Sequence, residues 1–533
     1  MKKILSIVTL TLLLASLSSQ AQLQQSKQTR EEIQKMATLL QIIDYAYVDT
    51  VEMREVVDHA IESTLKELDP HSSYIPKEDV QKANEPLEGS FEGIGITFQI
   101  FKDTILVIAP VPGGPSDKLG IMSGDKIVKI DGKNATGEEI DNQWVMDHLR
   151  GKKGTKVDVS VFRKNRNKLI EYTIVRDEIP LNSIDASFII EPEIGYIKLN
   201  RFAKTSMDEF ADAMTELKEA GMKKLILDLR GNSGGYLGTA VDLADEFLRF
   251  GKLIVYTEGS KSPRQEYKAT PLGRFEEGKL IVMINEGSAS ASEIVSGAVQ
   301  DWDRGLVVGR RSFGKGLVQR PFPLPDGSII RLTTAIYHTP SGRSIQRPYD
   351  KGVISYYEDF YDRYESGEMV SADSIHFPDS LKYETAEGRT VYGGGGIMPD
   401  VFLPWDSTWY SDLYSDLRRN GVINQFSVDY VDKHRQEVLA GFSSPVGFRD
   451  NFTFEEETLD DFFKLAEKEK VEFDEEGWEK SSRTVKAQLK ALIARNIWDT
   501  EAYYEVIYEI DDELRKTVGI MQDENLFSEL KSD

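Results

Sequence analysis

The chain contains no cysteine, which excludes disulfides, a thiolate nucleophile and lipid attachment at cysteine. Histidine is scarce, with six in 533 residues, so few imidazoles are on hand to serve as the base that a serine nucleophile ordinarily needs. Basic residues are in deficit, 65 against 89 acidic ones for a formal net charge of −24, and a chain this acidic is a poor nucleic-acid binder. No group of His, Asp and Glu has metal-ligand spacing, and no phosphate-cradling glycine loop opens a helix with a suitable lysine or serine. No cofactor and no metal are therefore expected. The one extended apolar stretch, Ile4 to Leu17, follows Met1-Lys2-Lys3 and precedes the small-residue site Ser19-Gln20-Ala21. It is short and interrupted by Ser and Thr, so residues 1–21 read as a cleavable secretory signal and the protein as exported to the periplasm. A membrane anchor follows only if that signal is retained. Without disulfides an exported chain must rely on core burial, and its length allows three or four domains.

Two short segments carry most of the chemistry. The apolar run Lys279-Leu-Ile-Val-Met-Ile-Asn285 has strand length, and Ser292 to Gln300 has helical spacing, so Gly287 to Ala291 forms a strand-to-helix turn holding the run Ser288-Ala-Ser290-Ala-Ser292. Such a turn exposes backbone N–H groups, and that of Ala291 lies near a helix N-terminus, where a developing oxyanion is stabilised. The second segment, Phe313-Gly314-Lys315-Gly316-Leu-Val-Gln319, follows the buried-strand pattern Gly305-Leu-Val-Val-Gly309. A lysine acts as a base only when uncharged, and burial lowers its pKa by disfavouring the ammonium. Taken singly, the serines are as well explained by helix capping and the lysine by a solvated surface charge.

A rival nucleophile is Ser233, in Arg230-Gly231-Asn232-Ser233-Gly234-Gly235, between the strand Lys224 to Arg230 and a helix from Thr239 to Leu248. This is the context of a nucleophile elbow, with His338 the available imidazole. The Ser528 to Lys531 match to S-x-x-K is chance in a charged terminal stretch.

Taken together, the serine and lysine segments resemble the C-terminal processing, or tail-specific, serine peptidases. The resemblance implies Ser290 as nucleophile, Lys315 as general base and Gln319 as the residue that orients the lysine. It also implies an oxyanion hole made by the Ala291 amide and one from the glycine turn, for which Gly235 is favoured over Gly234. The run Leu68-Asp69-Pro70-His71-Ser-Ser-Tyr74 matches the same family, with His71 read as a structural hydrogen-bonding residue.

The expected fold is a multidomain α/β chain, an α/β peptidase core carrying a PDZ domain, an N-terminal helical segment and a helical C-terminal region. Residues 22–85 form the helical segment, where Val56, Val57, Ala60, Ile61, Leu65 and Leu68 recur at helical spacing until Pro70 stops the helix. Residues 86–178 resemble a PDZ domain in Phe91-Glu-Gly93-Ile94-Gly95-Ile96 and in the later Gly124-Asp125-Lys-Ile and Ile130-Asp131-Gly132. A glycine loop at Gly93, Ile94, Gly95 and Ile96 would offer N–H groups to a terminal carboxylate, and the adjoining strand edge would accept an extended peptide. Arg176, at the end of this unit, is a candidate gating contact. The peptidase core spans 179–404, interrupted by a Tyr- and acid-rich insertion at 347–395, read as a solvated surface excursion in preference to a substrate-facing lid. Residues 405–533 are charged and helical in pattern.

The function expected is an exported serine endopeptidase that takes protein or peptide substrates with apolar C-termini. The alternatives are an inactive PDZ scaffold and a Ser233/His338 esterase. Homo-oligomerisation and adaptor binding stay open.

Overall fold

The strands Lys224–Asp228, Leu280–Ile284 and Leu306–Gly309 are continuous apolar runs buried along almost their whole length, as parallel strands covered on both faces must be. In the computed structural model, which describes residues 27–101, 103–164 and 166–528, they lie side by side at the centre of a six-stranded sheet. Its order is Ile184–Glu191, Ile194–Leu199, Lys224–Asp228, Leu280–Ile284, Leu306–Gly309 and Val401–Phe402. Only the first pair is antiparallel. The proposed signal segment and Lys531 lie outside the described residues.

Alternate side chains of these strands enter two separate cores, because successive residues of a strand point to opposite faces. Leu225, Leu227, Leu280, Val282 and Ile284 pack with the helices Ser206–Glu219, Leu237–Asp245 and Ala291–Asp301. Ile226, Ile281, Met283, Leu306 and Val308 meet Leu514, Val518 and Met521 of the helix Asp512–Gln522. The end of the C-terminal region is thus the second cover of the peptidase sheet.

A second, five-stranded antiparallel sheet holds Ile329–His338 between Ser73–Ile75, Leu253–Gly259 and Leu317–Pro323, with Ser262–Lys268 outermost. The N-terminal segment, expected to be helical, therefore contributes a strand to this sheet after its helices Lys27–Ala46 and Met53–Lys66. The helical pattern ends at Pro70, and Ser73–Ile75 is extended by backbone pairing to Arg331, Ile330 and Ile329.

The strand-rich unit has its own apolar core, including Ile105, Val107, Ile127, Val159 and Ile174. It joins the peptidase core through the two-stranded pair Ser90–Gly93 and Asp177–Pro180. Leu106 and Ile108 also pack on Val428 of the helix Val422–Gly441, so the unit rests against the C-terminal region, whose remaining helices surround cores of their own.

The insertion exposes Ile354, Tyr357, Tyr361 and Tyr364 to solvent but also packs inward. Its helix Val353–Glu365 buries Tyr356. Arg347 lies over the rings of Phe313 and Tyr356 at 4.1 and 3.9 Å, and Arg363 donates to the Arg311 and Ser312 carbonyls at 2.7 and 3.2 Å. Tyr356, Arg347 and Arg363, which read as hydrophilic in sequence, here pack through ring and stems. They brace the loop that leads to Lys315.

Gly309 ends its strand at φ +128°, where a Cβ would collide with the Ile284 carbonyl oxygen. Gly309→Ala should lower the stability of the peptidase core by more than about 1 kcal/mol, read as a fall in its thermal unfolding midpoint. An unchanged midpoint would show that the strand end can yield.

Candidate active site

Three loops leave the same edge of the parallel sheet: the glycine turn after Asp228, the turn holding Ser290 after Ile284, and the segment leading to Lys315 after Gly309. Clefts at the carboxyl ends of parallel strands are where α/β sheets bind ligands. Ser290 takes φ 54° and ψ −109° at the N-terminus of the fully buried helix Ala291–Asp301. That conformation costs a non-glycine residue about 1–3 kcal/mol, and it persists because the surroundings over-determine it.

Two side chains supply that constraint. Glu293, completely buried, accepts from the backbone N–H of Ser290 at 2.8 Å, Gly314 at 2.7 Å and Lys315 at 2.9 Å, and from the Ser312 hydroxyl at 2.5 Å. Burial pushes its carboxyl pKa up against the pull of these donors. The Tyr337 hydroxyl lies 2.8 Å from the Lys315 carbonyl oxygen and 3.1 Å from that of Ser290. Burial holds this phenol well above the ordinary tyrosine pKa, so it remains a donor. The serine and lysine backbones are therefore joined through both their N–H and their C=O groups.

The Lys315 ammonium nitrogen donates to Gln319 Oε1 at 3.0 Å, and no carboxylate forms an ion pair with it among the described residues. Burial lowers its pKa, helped by Arg331, against the opposing pull of Glu293 and Asp69. Gln319 in turn donates its amide to the His71 carbonyl oxygen. The His71 ring meets the Tyr356 hydroxyl at 2.9 Å, and burial together with the nearby Lys315 charge lowers its pKa to about 4. His71 thus supports the lysine through its backbone, in line with its expected structural role.

The glycine turn packs directly on the serine. A Cβ at Gly234 would lie 2.9 Å from Ser290 Cβ and 3.0 Å from the Ala291 nitrogen. The Gly234 N–H is taken by Asn232 Oδ1 at 2.9 Å, whereas the amides of Gly235 and Ala291 have no acceptor among the described residues. Those two N–H groups are the free donors beside Ser290.

Ser290, Lys315, Gln319, Gly235 and Ser233 all line one cavity of about 700 Å³, whose wall carries Arg201, Arg320 and Arg331 and no acidic residue. None of residues 90–178 lines it. His338 does not line it either; it stacks on Tyr256 at 4.7 Å and lies 3.1 Å from the Gly342 carbonyl. Ser233 and His338 are not brought together.

In the strand-rich unit Gly95 has φ +73° and links Gly93 to the strand Ile96–Phe101, which lies at the edge of its sheet. Ile94 is buried, and its carbonyl is held by Ser116. The Ile94 and Gly95 N–H groups have no acceptor among the described residues. Arg176 makes no gating contact in this arrangement: its donors go to the carbonyls of His148, Leu149 and Lys156 and to the Thr155 hydroxyl, all within the same unit. A guanidinium closing the end of the helix Asn142–Leu149 explains its burial.

Glu293 and Tyr337 are the functional residues not singled out from sequence. Glu293 carried a readable signal, since Ser290-Ala-Ser-Glu293 has capping-box spacing; Tyr337 carried none, because its partners are distant in sequence.

Comparison with known proteins decides the family. The sequence of the carboxy-terminal-processing protease of Bartonella bacilliformis is 35% identical over 353 residues, covering 65% of this chain and 80% of that protein. The chain belongs to the carboxy-terminal processing protease family. It is a serine-type peptidase: the profile of peptidase family S41 matches residues 193–355 and that of the PDZ domain residues 93–174. Further profiles match at 10–79, the activating protease CtpB N-terminal domain, and at 413–499, a family of unknown function. A protein of Staphylococcus aureus strain N315 described as "Probable CtpA-like serine protease" is 34% identical over 324 residues, 60% of this chain and 64% of that protein. Among solved structures, the photosystem II D1 C-terminal processing protease matches 69% of this chain and 87% of its own at 26% identity and a TM-score of 0.35.

In this peptidase, Glu293→Ala would strip four donors of their acceptor, each costing about 1–3 kcal/mol when left unsatisfied. The expected result is a lower unfolding midpoint and a fall in turnover of roughly a hundredfold, since catalytic groups displaced by an ångström lose about that much. Peptide hydrolysis at a wild-type rate by this variant would remove Glu293 from the account.

Proposed function

We propose that the chain is an exported endopeptidase working with Ser290 and Lys315 as its catalytic pair. The observation that carries this reading is a half-buried lysine with no carboxylate partner among the described residues, lining the same cavity as a strained serine that is tied to it through Glu293 and Tyr337. Neutral Lys315, oriented by Gln319, takes the Ser290 proton. The serine oxygen then attacks the substrate carbonyl, and the Ala291 and Gly235 amides receive the oxyanion at the helix N-terminus. Lys315 returns its proton to the leaving amine, after which water hydrolyses the acyl-enzyme. Substrates are held by an apolar C-terminus, with the terminal carboxylate on the amides near Ile94 and Gly95 and the peptide added along Ile96–Phe101.

Because the base must be neutral, activity rises with pH as Lys315 loses its proton, and the lowered pKa places that limb below the ordinary lysine range. His71, at about 4, does not produce it. Ser290→Ala and Lys315→Ala should each abolish cleavage of an unfolded protein, while Ser233→Ala retains it; normal turnover in Lys315→Ala would sink the mechanism. Amidating the C-terminus of a peptide substrate should raise KM with little change in kcat, and equal KM values for acid and amide would remove the carboxylate from recognition.

A further inference from the structure

The three catalytic loops begin with charged residues that are largely hidden. The side chains of Arg230, Glu286 and Arg310 are 14%, 23% and 6% exposed. Arg230 opens the glycine turn, Glu286 the serine turn and Arg310 the lysine loop. Arg310 Nε donates to Glu286 at 2.8 Å, which ties the second loop to the third. Arg230 is held by Asp228, but that residue ends the same strand and joins no second loop.

The glycine turn is bonded to the serine turn by Gly231 N–H to Asn285 Oδ1 at 2.8 Å and by Ala289 N–H to the Asn232 carbonyl at 3.0 Å. A direct side-chain bridge from the glycine turn to the lysine loop comes from the far end of the chain. Glu513 accepts from Arg230 Nη1 at 3.1 Å on one oxygen and forms an ion pair with Arg310 Nη1 on the other. Asp511 adds contacts to Arg230 at 2.7 and 3.0 Å while capping its own helix through the Leu514 N–H. That helix cannot drift, because Leu514, Val518 and Met521 are buried against the sheet. Among the described residues, Glu513 is the only side chain bonded to both arginines. Arg230 keeps Asp228 and Asp511 and Arg310 keeps Glu286 as further partners, so what Glu513 alone adds is the bridge between the two.

We propose that Glu513, supported by Asp511, is a positioning residue for peptide hydrolysis, a carboxylate from the C-terminal region that clamps the oxyanion turn and the lysine loop in register. The C-terminal region is then part of the catalytic centre rather than an appendage. This rests on the Ser290/Lys315 reading.

The test uses the full chain, comparing wild type, Ser290→Ala, Glu513→Gln and, as control, Glu524→Gln, which removes only the exposed partner of Lys279. The readouts are kcat and KM on a peptide, the rate of serine acylation by a fluorophosphonate, and the unfolding midpoint. Glu513→Gln should lower kcat and acylation by about tenfold or more with KM within about twofold, as loss of alignment predicts, while Glu524→Gln matches wild type. A folded Glu513→Gln with wild-type kcat overturns the clamp. If Glu513→Gln does not fold, Glu513→Asp keeps the charge but is too short to span both arginines. It should fold and show the same loss of kcat, and its wild-type turnover would assign the carboxylate to stability alone. Activity persisting in Ser290→Ala would instead bring down the catalytic reading itself.

Discussion

The active site depends on one buried carboxylate. Glu293 gathers the N–H groups of Ser290, Gly314 and Lys315 onto two oxygen atoms, and through them it unites a loop from the parallel sheet with the start of a strand in the antiparallel sheet. Remove that acceptor and the serine loses the bond that holds its positive φ, while the lysine loop loses its anchor beside it. A carboxylate is costly to bury, and the cost is met by four donors in close geometry. Tyr337 repeats the same connection from the carbonyl side, so the Ser290 and Lys315 backbones are fixed by acceptor and donor alike.

Around this centre the chain supplies support from every direction. The N-terminal segment places the His71 carbonyl under Gln319, and Asp69 beside it accepts from the Ser72 and Thr333 hydroxyls. The insertion packs Tyr356 and Arg347 against Phe313 of the lysine loop. The C-terminal helix reaches the strand ends from the opposite face of the sheet. An acidic chain thereby encloses a cleft whose wall holds arginines and a lysine but no carboxylate, a setting in which loss of the lysine proton is favoured by burial and by neighbouring positive charge.

Much of the core was legible in sequence because strand and helix signals there are local. The runs ending at Asp228, Ile284 and Gly309 are uninterrupted aliphatic segments, and the helix after Ser290 follows a small-residue turn with capping chemistry. Motif resemblance then singled out one serine among three, and the lysine after Phe313-Gly314. The inward packing of the insertion was not legible, because Tyr356 and Arg363 look hydrophilic in composition yet bury ring and stem where a partner surface exists. Ser73–Ile75 was read as part of a helical segment because the pairing that makes it a strand lies more than 250 residues away.

What the sequence determined by itself was the family, the strand-and-helix grammar of the core and the identity of the residues proposed for catalysis, since each is written in contiguous stretches. Only the tertiary structure decided how those residues are held: that the Gly234 amide is taken by Asn232 while that of Gly235 has no acceptor among the described residues, that Arg176 is confined to its own unit, that Tyr337 joins serine to lysine, and that Glu513 touches both the glycine turn and the lysine loop. The reason is physical. Hydrogen bonds and ion pairs between distant segments depend on where the backbone brings them, and no local pattern of side chains encodes that meeting.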